Sequence, residues 1–393
     1  MRRILLLASL AALAACTRDP LFPGRPRYTR EPAGHKPVEA ADSTLVPLSG
    51  VHVWATAVRF PEDFDWEVDT CAVEGDVWLD LYCDGRLLRS FPAGASLQAD
   101  MHRFAGGHLY ADCSTDTETV LYRDGAELFR FGGREALRGF RVLEDGVHTL
   151  GQDRDGDGLT YRIDGREVFR SPVGTVFGEG EALSESGGAL WYCYSVQGAS
   201  GRDFLIMREA ELAGKTETKG VILDFRLSAG KSCWVQSQRG SLALMEDGGK
   251  RVPIVLNAGE TVRSCRIAPG ADDLYVAVQT DRNGIRRSFV QAARGSLFRL
   301  ADGLTVAAIL TDGKETGWVV TAADGAIRLV RENGDVLSVP SGGFLYGPRC
   351  AVFHEGHLHL ALSGHFGEPG RLVTDTDVTQ IPFNGYFTSI TVE

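Results

Sequence analysis

Residues 141–172 read RVLEDG-VHTLGQDRDGDG-LTYRIDG-REVFRSP. Four short apolar runs, Arg141–Leu143, Val147–Leu150, Leu159–Ile163 and Val168–Ser171, are parted by turns rich in Asp and Gly. Period-two alternation and β-branched or aromatic residues mark the runs as strands, and Asp-Gly pairs mark tight turns between antiparallel neighbours. A four-stranded antiparallel unit of this size leaves both faces apolar and cannot bury them alone.

Working outward, the same plan returns about every 40 residues. The clearest copies hold HLYADCS with TVLYRDG, VILDFRL with CWVQSQ, LYVAVQ with RRSFVQA, GWVVTA with AIRLVRENG, and HLHLAL with RLVT. No segment sustains helical periodicity. Units that bury their faces only against neighbours close into a ring, so the expected fold is an all-β propeller over residues 48–393 with eight blades. Seven is the alternative, with the first unit a partial blade completed by the C-terminus. In the eight-unit count the first unit uses VHVWATAV, WEVDTCAV, DVWLDLYCDG and RLLRSF as its strands, and the run Tyr386–Val392 latches the ring.

Two of these units resemble TolB-type propeller repeats, in which an apolar strand precedes S/T-D-R-D/N-G and a later strand ends in D-G. The matching residues are Gln152-Asp153-Arg154-Asp155-Gly156 with Tyr161-Arg162-Ile163-Asp164-Gly165, and Thr280-Asp281-Arg282-Asn283-Gly284 after Leu274–Val278. The resemblance implies a propeller in an extracytoplasmic setting. It does not carry over that family's partners, because the family's N-terminal domain has no counterpart here.

The N-terminus points the same way. Met1–Ala15 combines Arg2 and Arg3 with an apolar run too short to span a bilayer, the form of an exported leader. It closes Leu13-Ala14-Ala15-Cys16, which resembles a bacterial lipobox. That likeness implies cleavage before Cys16 and lipidation of its thiol, and Thr17 after it implies sorting to the outer membrane. Residues 16–47 carry Pro20, Pro23, Pro26, Pro32, Pro37 and Pro47 and few large apolar residues, so they are expected to form a flexible tether.

Formal net charge is −11, and removal of Arg2 and Arg3 leaves 39 basic against 52 acidic residues, or −13. An acidic body excludes nucleic acid as the natural partner.

Three constellations could carry chemistry. Asp153, Asp155 and Asp157 with Gly158 match the opening of a calcium loop, although Asp164, at position 12, lies across a strand from them. In the propeller the loop falls on the face of the inter-blade connections. His357 and His359 share one strand face and could grip a transition metal. Seven cysteines follow Cys16 in a chain expected to meet an oxidising compartment, and the propeller suggests the pairs Cys83–Cys113, Cys193–Cys233 and Cys71–Cys350, leaving Cys265 over. The six tryptophans fall mostly within strands and read as core. No nucleophile elbow, zinc-protease motif or phosphate loop is present, so no catalytic residue is assigned.

The expected function is therefore a lipid-anchored, non-enzymatic binding or scaffold module of the cell envelope, taking a protein or a glycan. A glycan hydrolase or lyase with carboxylates in the central channel is the alternative.

Overall fold

Alternating runs pair into eight antiparallel sheets, seven of four strands and one whose inner strand is split in two, in the computed structural model, which describes residues 51–392 apart from 68–76, 93–101, 115–118, 125, 133–134, 154–157, 172–174, 178–182, 187, 198–201, 219, 229–230, 247–250 and 341. In seven sheets sequence order is spatial order. The first strands, which touch the first strands of neighbouring sheets and so surround the axis, are His102–Ala105, Glu135–Leu143, the split pair Thr175–Phe177 and Ser184–Ser186, Val221–Ser228, Thr261–Pro269, Thr305–Thr311 and Ala351–His354. These are blades two to eight. The architecture is an eight-bladed propeller, so the seven-blade alternative does not hold.

Blade one is built differently from the expected unit. Its inner strand is Gly385–Val392, followed outward by Val53–Arg59, Trp78–Cys83 and Arg86–Pro92. The register runs from Val53 opposite Val392 to Arg59 opposite Gly385. The neighbour of Val53–Arg59 in the sheet is thus Trp78–Cys83, in the place expected for WEVDTCAV. The first two residues of WEVDTCAV, Trp66 and Glu67, lie in a turn, and 68–76 fall outside the described residues. Trp78–Cys83 takes the edge of Val53–Arg59 that the expected second strand would have used, with Trp54 opposite Cys83 and Arg59 opposite Trp78, and Gly385–Val392, buried along most of its length, takes the other edge.

The core lies between blades, in clusters that span neighbouring sheets. Cys233, Val235 and Leu244 of blade five pack on Cys265, Ile267, Val276 and Val278 of blade six. The closing seam joins Ala55, Ala57 and Tyr82 of blade one to Ala361, Leu372 and Ile381 of blade eight through Phe387 and Ile390. Burial of these faces drives closure of the ring.

A second set of contacts seals the seam on the face of the inter-blade loops. Trp66 packs on Phe344 and Tyr386, and Tyr346 stacks on Tyr386 at 3.9 Å. Asn384 donates its side-chain amide to the carbonyls of Pro61 and Phe64. Glu67 accepts from the Phe366 N–H and meets His365 Nδ1 at 2.9 Å. Trp54, Trp234 and Trp318 are buried, in keeping with a packing role.

Candidate functional site

The two faces of the ring differ in what their turns do. Strands alternate in direction, so the turn between first and second strands shares a face with the turn between third and fourth. The second-to-third turns share the opposite face with the inter-blade connections. Val53 and Val392 lie at the first face, where Asp84 of the third-to-fourth turn donates its N–H to the Val53 carbonyl. The chain before Val53 therefore enters on this face, and the acidic loop after Asp153 opens on the other.

On the entry face one small device recurs. Asp84, Asp124, Asp164 and Asp375 occupy left-handed turns, with φ between 48° and 52°, a conformation that Asp tolerates better than most residues. Each donates its N–H to a second-strand carbonyl, and its carboxylate accepts the N–H of the same residue: Val53, Leu109, Val147 and Leu358 respectively. In three copies a histidine precedes that residue. His52 and His357 place Nδ1 2.7 Å from their aspartates, and His108 is paired likewise with Asp124. Burial works to raise the pKa of Asp84, Asp124 and Asp375, but these hydrogen bonds and the nearby histidines outweigh it and hold all three below the usual range.

That repetition decides how to read His52, Cys83 and Asp84, the one set among the described residues whose ligand atoms lie within 4.8 Å of one another. The same His–Asp geometry stands at blades two and eight, where no cysteine completes it. The buried Cys83 thiol, raised to about 11 first by burial and then by Asp84, is a poor ligand near neutral pH. The set is a turn clasp that happens to adjoin a thiol.

The histidines singled out in the sequence serve different partners. His357 belongs to the clasp of blade eight. His359 is buried, with Nδ1 3.1 Å from Thr374 Oγ1, and burial first, then His354 and His357, lower its pKa against the pull of Asp375. Each imidazole has its own hydrogen-bond partner, His357 in Asp375 and His359 in Thr374.

Cys193 and Cys233 are free buried thiols facing different interfaces, which departs from the expected pair. Alternation is the reason: Trp234 turns toward Cys193 and Phe225, so its neighbour Cys233 turns away toward Cys265. Cys83 and Cys350 are free and buried as well. Cys71 and the Cys113 side chain lie outside the described residues.

Asp155 and Asp157 also lie outside the described residues. Asp153 closes its turn by donating its N–H to the Gly158 carbonyl. It lines a polar cleft of about 470 Å³ between the outer strand of blade two and the sheet of blade three. Glu135 crosses this cleft to Arg162 through two hydrogen bonds of 2.5 and 2.8 Å, and the Arg162 guanidinium lies 5.3 Å from the Phe131 ring centre. Gly151 makes the bridge possible, since a Cβ there would sit 1.6 Å from a Glu135 carboxylate oxygen. Gly158 leaves room for Asp153 in the same way. The cleft has the volume of a small-molecule site, but a bidentate ion pair occupies its centre.

Toward the axis, arginines gather. Arg103, Arg141 and Arg226 stand opposite Tyr110, His148 and Cys233, each two residues before the end of its inner strand. They come from blades two, three and five at one height. Glu185 lies on the inner strand of blade four between them, and Arg349 precedes that of blade eight. Arg103 sits 6.0 Å from the Phe140 ring centre, and Arg141 donates Nη1–H to the Phe140 carbonyl at 2.9 Å. Burial, then Arg349, lowers the Arg103 pKa against Glu185; burial, then Arg103, Arg349 and Arg226, lowers that of Arg141.

No protein-family model matches the sequence, and no curated protein sequence matches it. Solved structures do. A dihydro-haem d1 dehydrogenase, NirN, determined in complex with DHE, is similar over 94% of this chain and 77% of its own, with a TM-score of 0.53 and 15% identity. A prolyl endopeptidase structure is similar over 75% of this chain and 49% of its own, with a TM-score of 0.45 and 12% identity. The Hsv2 protein of Kluyveromyces marxianus is similar over 74% and 99%, with a TM-score of 0.43 and 13% identity. At such identities the likeness concerns the propeller fold alone.

Proposed function

We propose that the chain is a lipid-anchored binding module of the cell envelope, held by Cys16 and presenting the loop face of its propeller to a protein or glycan partner. The observation that carries this reading is the polarity of the ring. The chain enters at Val53, on the face of the clasped Asp turns, so a tether from Cys16 would reach that face first. The opposite face, with the inter-blade connections, the seam aromatics and the acidic loop, then points away from the membrane. Surface-presented loops on a rigid scaffold suit recognition. A hydrolase or lyase using paired channel carboxylates is less well supported, because the groups gathered near the axis are mainly guanidiniums.

The test is fractionation of cells expressing the chain and its Cys16→Ser variant. The parent is expected in the outer-membrane fraction and the variant in the soluble one; membrane retention of the variant refutes the anchor. Cross-linking through a photoreactive residue at Phe366, exposed on the loop face, is expected to capture an envelope partner. Capture only from entry-face positions such as Leu87 would refute the orientation.

A further inference from the structure

We propose that the cleft between blades two and three binds a neutral polyhydroxy ligand of the class of a short oligosaccharide. The site lies between two blades and depends on neither the lipid anchor nor the orientation of the loop face.

The first support is room beside fixed polar groups. About 470 Å³ stays open among Leu128, Phe129, Arg130, Glu135, Arg162 and Arg170, the size of a small-molecule site. Glu135 and Arg162 stand at its centre with side chains only 10% and 12% exposed. Both are held in place. The Glu135 backbone carbonyl accepts from Thr119 Oγ1 at 3.0 Å, and the Arg162 guanidinium lies over the Phe131 ring. Polar groups fixed in advance lose little freedom on binding.

The second support is charge. Arg130 and Arg170 occupy the same register on the fourth strands of blades two and three. Each pairs with the glutamate three residues before it, Glu127 and Glu167. With Glu135, Arg162 and the rim residue Asp153, these make four carboxylates against three guanidiniums. That near balance gives a charged ligand little net attraction. Guanidiniums only donate and carboxylates only accept, whereas a hydroxyl does both. Neighbouring hydroxyls on one ring therefore satisfy an arginine and a glutamate together, through charge-assisted hydrogen bonds. The Arg170–Glu167 pair is about half exposed, and such surface pairs hold weakly, so the Arg170 guanidinium can turn to a ligand.

The third support is the wall. Leu128 and Phe129, half-buried on the outer strand of blade two, offer an apolar side to the C–H face of a sugar ring. Gly165 admits the Phe129 ring there, since a Cβ at Gly165 would come within 2.8 Å of it.

The test is isothermal titration calorimetry of the purified full-length chain, with maltose, cellobiose and diacetylchitobiose as neutral probes and citrate and lysine as charged ones. Saturable binding of at least one neutral probe is expected, with one site per chain and Kd about 1 mM or tighter. Glu135→Gln is expected to weaken it about tenfold or more, and Arg170→Gln about threefold. Gly132→Phe gives the steric comparison. Gly132 lines the cleft, and a Cβ there meets nothing within 4 Å, so the added ring fills ligand space without displacing the core, and binding is expected to vanish. Arg294→Gln, which breaks an exposed pair with Asp272 in blade six, should leave binding unchanged. Circular dichroism checks that each variant is folded; if Glu135→Gln is not, Gly132→Phe and Arg170→Gln carry the comparison. Absence of saturable binding of every neutral probe up to about 10 mM, tighter binding of citrate or lysine than of any sugar, or unchanged binding by folded Gly132→Phe overturns the proposal. None of these results bears on the anchor, which fractionation of the Cys16→Ser variant tests separately.

Discussion

Phe387→Ala is the sharpest way to ask what closes the ring. Phe387 is fully buried on the inner strand of blade one and packs against Ala361 and Ile381 of blade eight. Its ring stands edge-on to Phe383 at 4.9 Å and to Tyr82 at 6.1 Å. Truncation of a buried phenylalanine to alanine costs about 3–5 kcal/mol, a range that includes the two aromatic pairs at about 0.5–1.5 kcal/mol each. For a domain spanning residues 51–392 the entropy of unfolding is about 0.7 kcal/mol/K, so Tm should fall by about 4–7 °C. Phe387→Leu keeps most of the volume and should recover all but about 1.5 kcal/mol. Scanning calorimetry on both variants measures the effect. A fall of less than about 1 °C for the alanine variant would refute the view that this seam bears on global stability, because a locally frayed closure leaves the main transition untouched.

The clasped turns make a second prediction. Asp375→Asn weakens two charge-assisted hydrogen bonds and should cost about 1–2 kcal/mol by denaturant titration. The folded-state pKa values of Asp84, Asp124 and Asp375 lie below their unfolded values. Their contribution is thus complete above about pH 4 and is lost as pH falls through the lower folded values. An Asp124→Asn, Asp375→Asn double variant should melt lower at pH 7 and show a shallower acid limb; an unchanged limb would sink the argument. Cys193 and Cys233 should alkylate upon unfolding without prior reduction, and a mass showing them joined would contradict their separate interfaces. Calcium held by Asp153, Asp155 and Asp157 should raise Tm by several degrees, with the rise lost in Asp153→Ala; a Tm indifferent to calcium refutes the metal reading of the acidic loop.

Blades two to eight were legible because each carries its own four runs and turns. Local alternation is enough to specify a hairpin, and hairpins in series specify a blade. Blade one was legible in part: the run Tyr386–Val392 announces the strand that closes it, more than 300 residues from Val53–Arg59 in sequence, whereas WEVDTCAV alternates as well as many true strands and was counted where Trp78–Cys83 stands. The clasp could have been read directly, since His52-Val53, His108-Leu109 and His357-Leu358 each precede an aspartate at the close of the third strand. The axial arginines are harder to see. Each is a single basic residue in its unit, and only superposition of Arg103-Phe-Ala-Gly, Arg141-Val-Leu-Glu and Arg226-Leu-Ser-Ala at the first turn shows that they share a height.

The pairing of Val53 with Val392 also sets an order of events during synthesis. Val53–Arg59 emerges first, and its inner edge waits for a partner made more than 300 residues later. Through that interval an apolar strand stands open to other chains. Contacts this remote in sequence also slow folding. A blade whose two inner strands lie more than 300 residues apart cannot close until both have been made, so blades two to eight can each form their own hairpins before the first blade is complete.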